Sequence, residues 1–148
     1  MRNTVGLEKI RKIRDNEKNQ AQMIYEQAVN DFEIKAQKLF DLLKRKETIE
    51  DKYTQSLTTG TSAEMLQSYN DYLNYLTPSI LELQKQVANA RDKMQYFQQN
   101  LSNQFQELKK IEKLIHKKEI TRVESEKRQE AIQMDEISMR KYLINKGR

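Results

Sequence analysis

Few residues in this chain could do covalent or metal chemistry, and they are not placed together. His116 is the only histidine and there is no cysteine, so thiolate metal sites and Cys–His nucleophile pairs cannot be assembled. No set of carboxylates around His116 has metal-ligand spacing, and the residue is expected on a helix surface. Thr58, Thr59, Thr61 and Ser62 bring hydroxyls together, yet no base accompanies them to activate one. There is no glycine-rich loop to cradle a phosphate. Glu50-Asp51 and Asp135-Glu136 are ordinary helix-surface pairs. The expectation is a protein without catalytic residues, cofactor or metal.

Side chains suited to holding another macromolecule are better represented. Tyr69, Tyr72 and Tyr75 lie close together, and exposed aromatics supply large, rigid contact area. The heptad pattern described below assigns Tyr69 to a seam and leaves Tyr72 and Tyr75 beside it. A second group, Ile120, Val123, Ala131, Ile132, Met134, Ile137, Met139, Tyr142, Leu143 and Ile144, follows no clean heptad. It needs a partner or faces water. Tyr72, Tyr75, Ile132, Met134, Ile137, Met139 and Tyr142 are the candidate partner-binding residues from this reading.

The elements that carry these residues must be long. Among 148 residues there are 3 Gly and 1 Pro, with 33% charged and 36% hydrophobic, so chain reversals are scarce. With no Trp and 4 Phe a wide core cannot be filled, whereas a narrow seam between helices can. Counting in sevens from Leu66 gives Leu73, Ile80, Val87, Met94, Leu101, Leu108 and Ile115, all apolar. The companion series Tyr69, Leu76, Leu83, Ala90, Phe97, Gln104, Ile111 and Lys118 is apolar except at Gln104 and Lys118. Such a repeat imposes a left-handed supercoil on packed helices. A matching stripe in the first half runs Tyr25, Ala28, Phe32, Leu39, Leu42, Ile49 and Tyr53, interrupted by Lys35 and Lys46, whose stems can lie along the seam. Before Tyr25, the residues Leu7, Ile10, Ala21 and Ile24 suggest a change of phase, as a stutter gives.

Thr58-Thr59-Gly60-Thr61-Ser62 separates the two stripes. Gly60 can turn left-handed without steric cost, and Thr61 with Glu64 fits a capping box. The fold expected is all-α, an antiparallel two-helix coiled-coil hairpin with a C-terminal single-helix overhang. As one domain over 1–148, it has helix one at about 5–57, a turn at 58–61, helix two paired over about 62–115, and an overhang at 116–145. Pairing Tyr53 with Leu66 sets Leu7 opposite Glu112. At about 1.5 Å per residue the paired part spans about 75–80 Å, and the overhang up to about 45 Å. Pro78 interrupts the clean heptads on their outer face; the continuing phase favours one kinked helix, the alternative being two helices, 62–76 and 78 onward, that meet at a bend with Thr77 as N-cap.

The net charge is +5, with both signs interleaved. The densest basic stretch, Lys109 to Arg122, contains Glu112 and Glu119 and no aromatic for base stacking, so nucleic acid is not an expected partner. Its alternatives are a solvated face or contact with an acidic protein or lipid surface. No window is apolar enough to span a membrane and no signal-peptide pattern opens the chain. Together with the lack of cysteine, this predicts a cytoplasmic protein, and the hairpin, which pairs its two helices within one chain, predicts a monomer on its own.

The segment Gly60-Thr61-Ser62-Ala63-Glu64-Met65 with Tyr69 and Tyr72, the stretch Gln133-Met134-Asp135-Glu136-Ile137-Ser138, and the overall length resemble the FliJ family, the coiled-coil component of the bacterial flagellar type III export apparatus. The likeness covers nearly the whole chain and is closest to Gram-positive members. It implies a stalk-like coiled coil that binds the hexameric export ATPase ring and the cytoplasmic domain of the export gate protein. It also implies contact with export chaperones and a place at the inner face of the cell membrane, at the flagellar base. An aromatic–Leu–Ala–His patch in the family is linked to gate contact. Tyr72 and Leu76 match its first two positions, while Ser79 and Leu83 do not match the others. The resemblance thus adds Leu76 as a partner-binding candidate, although the heptads place Leu76 in the seam. Competing readings are the counterpart stalk of a virulence-type secretion system and a generic coiled-coil scaffold or tether that dimerises through its tail.

Overall fold

The computed structural model describes the backbone from Arg2 to Gly147 and side chains from Thr4 to Gly147. It is all-helical, with α1 over Arg2–Thr59 and α2 over Ala63–Lys146. The chain divides into two compact units, one formed by Asn19–Ser102 and the other by Met1–Lys18 with Asn103–Arg148.

In the unit Asn19–Ser102 the reversal is shorter and later than the sequence suggests, because α1 continues to Thr59. Gly60 takes φ +83°, the left-handed conformation that favours glycine. Its N–H donates to the Ser56 carbonyl at 3.1 Å, which closes the last turn of α1. The cap of α2 is Ser62 rather than Thr61. The Met65 N–H donates to Ser62 Oγ at 3.2 Å, and Leu66 N–H to the Ser62 carbonyl at 3.2 Å. Glu64 therefore sits one position too early to complete a capping box.

Burial along α1 follows an unbroken heptad. Tyr25, Ala28, Phe32, Leu39, Leu42, Ile49 and Tyr53 are half-buried, and Lys35 and Lys46 occupy positions on the same stripe. The two lysines run along it to Asp31 at 3.0 Å and Glu50 at 3.8 Å. On α2, Leu66, Tyr69, Leu73, Leu83, Met94 and Phe97 are half-buried, and Leu76, Ile80, Val87 and Ala90 are buried. Arg91, exposed on α2, lies over the ring of the seam residue Phe32 of α1 at 5.8 Å, which adds a cation–π attachment between the helices at the seam edge.

Pro78 lies inside α2, which is one continuous α-helix. The proline cannot donate to the Asn74 carbonyl, and both residues are exposed, so water can serve that acceptor. The Thr77 hydroxyl donates to the Leu73 carbonyl at 2.9 Å beside this gap.

In the unit of Met1–Lys18 and Asn103–Arg148 the heptad of α1 also continues without a stutter. Leu7, Arg11, Arg14 and Lys18 are its half-buried positions, while Ile10 and Ile13 are exposed. The apparent phase change arises because three polar residues occupy seam positions, where their aliphatic stems pack and their charged ends reach outward. Lys18 Nζ lies 5.5 Å from the centre of the Phe105 ring. The expected register sets Lys18 opposite Leu101, four residues before Phe105, so the observed register is about one helical turn away from it. The later turn at Gly60–Ser62 accounts for the shift. Facing residues on α2 are buried Leu108 and half-buried Ile111 and Ile115, with half-burial reaching Glu119 and Arg122. Lys118 is exposed and Glu119 takes the inward place, a one-residue drift after Ile115.

Candidate functional site

Tyr72 and Tyr75 stand one turn apart on α2, which brings their rings to 6.3 Å with planes 22° apart. Tyr75 is 72% exposed and Tyr72 37%. Tyr72 also lines a shallow groove with Asp41, Lys44, Arg45, Thr48 and Ile49 of α1. The result is an exposed aromatic pair bordered by charged groups that can donate and accept hydrogen bonds. Leu76, only 2% exposed, is the most buried large side chain among the described residues and cannot meet a partner while the hairpin is closed. Its neighbour by sequence pattern, Ser79, is exposed, and Leu83 is half-buried in the seam.

The second candidate surface lies in the last quarter of α2. Every described residue from Val123 to Gly147 is exposed. Ile132, Met134, Ile137, Met139 and Tyr142 are between 48% and 66% exposed, as are Leu143 and Ile144. At about 100° per residue these side chains divide between two sides of the helix. Ile132, Met139, Tyr142 and Leu143 share one side; Met134, Ile137 and Ile144 share the other. A helix with apolar groups on two sides has the pattern of one that becomes enclosed, not of one lying against a single flat face.

Between the seam and this segment is a cluster of charges that sequence inspection passed over. Arg122 donates to both oxygens of Glu119 and, through Nη1, to Glu126 Oε1 at 2.6 Å. The hydrogen bond from Arg122 holds the Glu119 carboxyl below the ordinary carboxylate range, and Glu119 in turn raises Arg122. These three residues stand at i, i+3 and i+7, so helical spacing was the signal available. Thr4 of α1 lines a groove with Leu114, Lys117, Lys118, Thr121, Arg122, Ser125 and Glu126.

Residues 4–147 match the model of a family described as flagellar FliJ protein. The chain belongs to the FliJ family. A curated relative, the flagellar FliJ protein of Bacillus subtilis (strain 168), is 31% identical over 137 residues, which cover 93% of each chain. No solved structure matches the chain. FliJ family membership makes this an export-related flagellar protein. Of the stretches that resemble the family, Gly60–Met65 forms the turn and the start of α2, and Gln133–Ser138 lies in the exposed segment. No helix among the described residues is long and apolar enough to cross a membrane.

Proposed function

We propose that this chain is the stalk-like coiled coil of the flagellar export apparatus. It holds the hexameric export ATPase ring and the cytoplasmic domain of the export gate protein, and it assists delivery of export chaperones with their substrates. Its place is the cytoplasm, at the inner face of the membrane. The observation that carries this reading is the segment after Arg122, whose exposed apolar side chains occupy two sides of one helix. In this reading it is a single-helix extension that enters the ATPase ring and is covered on both sides there. The Tyr72–Tyr75 pair meets the export gate, and Leu76 supports it from within.

An asymmetric helical element within a sixfold ring contacts the subunits unequally. It therefore biases which subunit closes on nucleotide, a coupling through differential contact. Family membership supports the flagellar setting, and the seam supports a shaft stiff enough for the role.

The test is a pull-down of the purified export ATPase and gate domain with the wild-type chain, Tyr72→Ala and a truncation after Arg122. Wild type should capture both. The truncation should lose the ATPase and keep the gate, and Tyr72→Ala should do the reverse. Equal capture by all three, or none by wild type, would refute the assignment of surfaces.

A further inference from the structure

Charge is distributed unevenly between the two units. The unit of residues 1–18 and 103–148 carries 18 Lys and Arg against 11 Asp and Glu, a net +7. Residues 19–102 carry 9 against 11, a net −2. The whole positive excess therefore belongs to one unit, a bias that interleaving along the sequence conceals.

Within that unit α2 presents an ordered stripe. Phe105, Lys109, Lys113, His116, Ile120, Val123 and Lys127 recur at spacings of three and four residues, so they share one narrow face of the helix. All are exposed: Phe105 to 44%, Ile120 to 45% and Val123 to 37%. No acidic residue lies on the stripe. Glu112 and Glu124 flank it, and Glu112 interacts with Arg11 of α1. Lys109, Lys113 and Lys127, the lysines of the stripe, make no ion pair among the described residues. Lys109 lies over the Phe105 ring at 5.3 Å and Lys18 of α1 at 5.5 Å, so both helices bring cations to the same aromatic.

We propose that this stripe docks on the surface of an anionic lipid bilayer. A helix that alternates lysines with exposed Phe, Ile and Val can place ammonium groups among the headgroups and short apolar side chains just beneath them. Lysine is a flexible point charge suited to a diffuse anionic surface, whereas recognition of a particular carboxylate or phosphate group favours the fork of arginine. Nucleic acid fits less well, since the only aromatic ring on the stripe already carries two cations and no other is placed for base stacking. The proposal deepens the membrane-proximal part of the reading above and requires neither the ATPase nor the gate contact.

The experiment is co-flotation of the full chain with vesicles of phosphatidylcholine alone and of phosphatidylcholine mixed with phosphatidylglycerol. Binding should require the anionic lipid and weaken with added salt. Each lysine at an anionic surface contributes about fivefold to the partition coefficient, so Lys109→Gln with Lys113→Gln and Lys127→Gln together should weaken binding about a hundredfold. These positions are exposed, and an unchanged circular dichroism melt verifies the fold. Lys85→Gln with Lys93→Gln, in the other unit, should leave binding within twofold. Equal binding to both vesicles, no binding to either, an unaffected triple variant, or tighter binding to a DNA duplex at the same salt would each overturn the proposal. Retained ATPase and gate capture by the triple variant would separate a failure here from failure of the stalk role.

Discussion

Replacing Leu76 with alanine distinguishes a seam residue from a binding residue more sharply than any other single change. Leu76 is 2% exposed, and burying a leucine side chain removes apolar area worth about 1.5–3 kcal/mol from water. Buried Leu→Ala changes cost about 2–5 kcal/mol, with the larger values where a rigid cavity remains. In a two-helix seam the surroundings are thin: Tyr69, Leu73 and Leu83 are only half-buried, so neighbours can move inward and water can enter. The lower end applies, about 2–3 kcal/mol. For a chain of this size that corresponds to a fall of about 5–10 °C in Tm. Tyr75→Ala, at a site 72% exposed, should change stability by less than about 0.5 kcal/mol. Thermal and urea unfolding followed by far-ultraviolet circular dichroism measure both, and the loss should belong to the transition of the Asn19–Ser102 unit. A Leu76→Ala protein that melts with wild type, or a Tyr75→Ala protein that melts like Leu76→Ala, would refute the assignment of the seam.

Other substitutions follow from the same geometry. Gln104 is half-buried and its Oε1 lacks a hydrogen-bond partner among the described residues, so Gln104→Leu should raise stability by about 1–3 kcal/mol in a thermal melt. Gly60→Ala meets no atom within 4 Å but must hold φ +83°, and should cost about 1–2 kcal/mol from backbone strain alone, measured by urea unfolding. Because Arg122 holds the Glu119 carboxyl below its ordinary value of 4.5, the stability from this pair is fully present above that value. It is lost as pH falls through the lowered one. Glu119→Gln should therefore melt below wild type at neutral pH, and the gap should close in acid.

The heptads of α2 were legible because ten consecutive seam positions from Leu66 to Phe97 are apolar, a pattern that requires no knowledge of the partner helix. The first part of α1 was not, since Arg11, Arg14 and Lys18 take seam positions that a hydrophobicity count skips. That omission created an apparent stutter and drew attention to Ile10, which faces water. The register was misplaced by one turn for a local reason. Thr61 and Ser62 are both competent caps, and only the hydrogen bond from Met65 to Ser62 Oγ distinguishes them. Of the candidate surfaces, Tyr72, Tyr75 and the apolar residues after Arg122 are exposed as their spacing suggests. Leu76 shows how a motif and a heptad can assign opposite roles to one side chain, and burial favours the heptad.

Hydrogen–deuterium exchange of the full chain, alone and with the export ATPase, tests most directly whether the exposed end of α2 is a partner-holding element. Exchange over residues 123–146 should slow markedly in the presence of the ATPase, while the buried stretch around Leu76 to Ala90 stays as slow as in the free chain. An unchanged pattern after Arg122 in a mixture where the two proteins demonstrably associate would contradict the stalk role proposed for that segment.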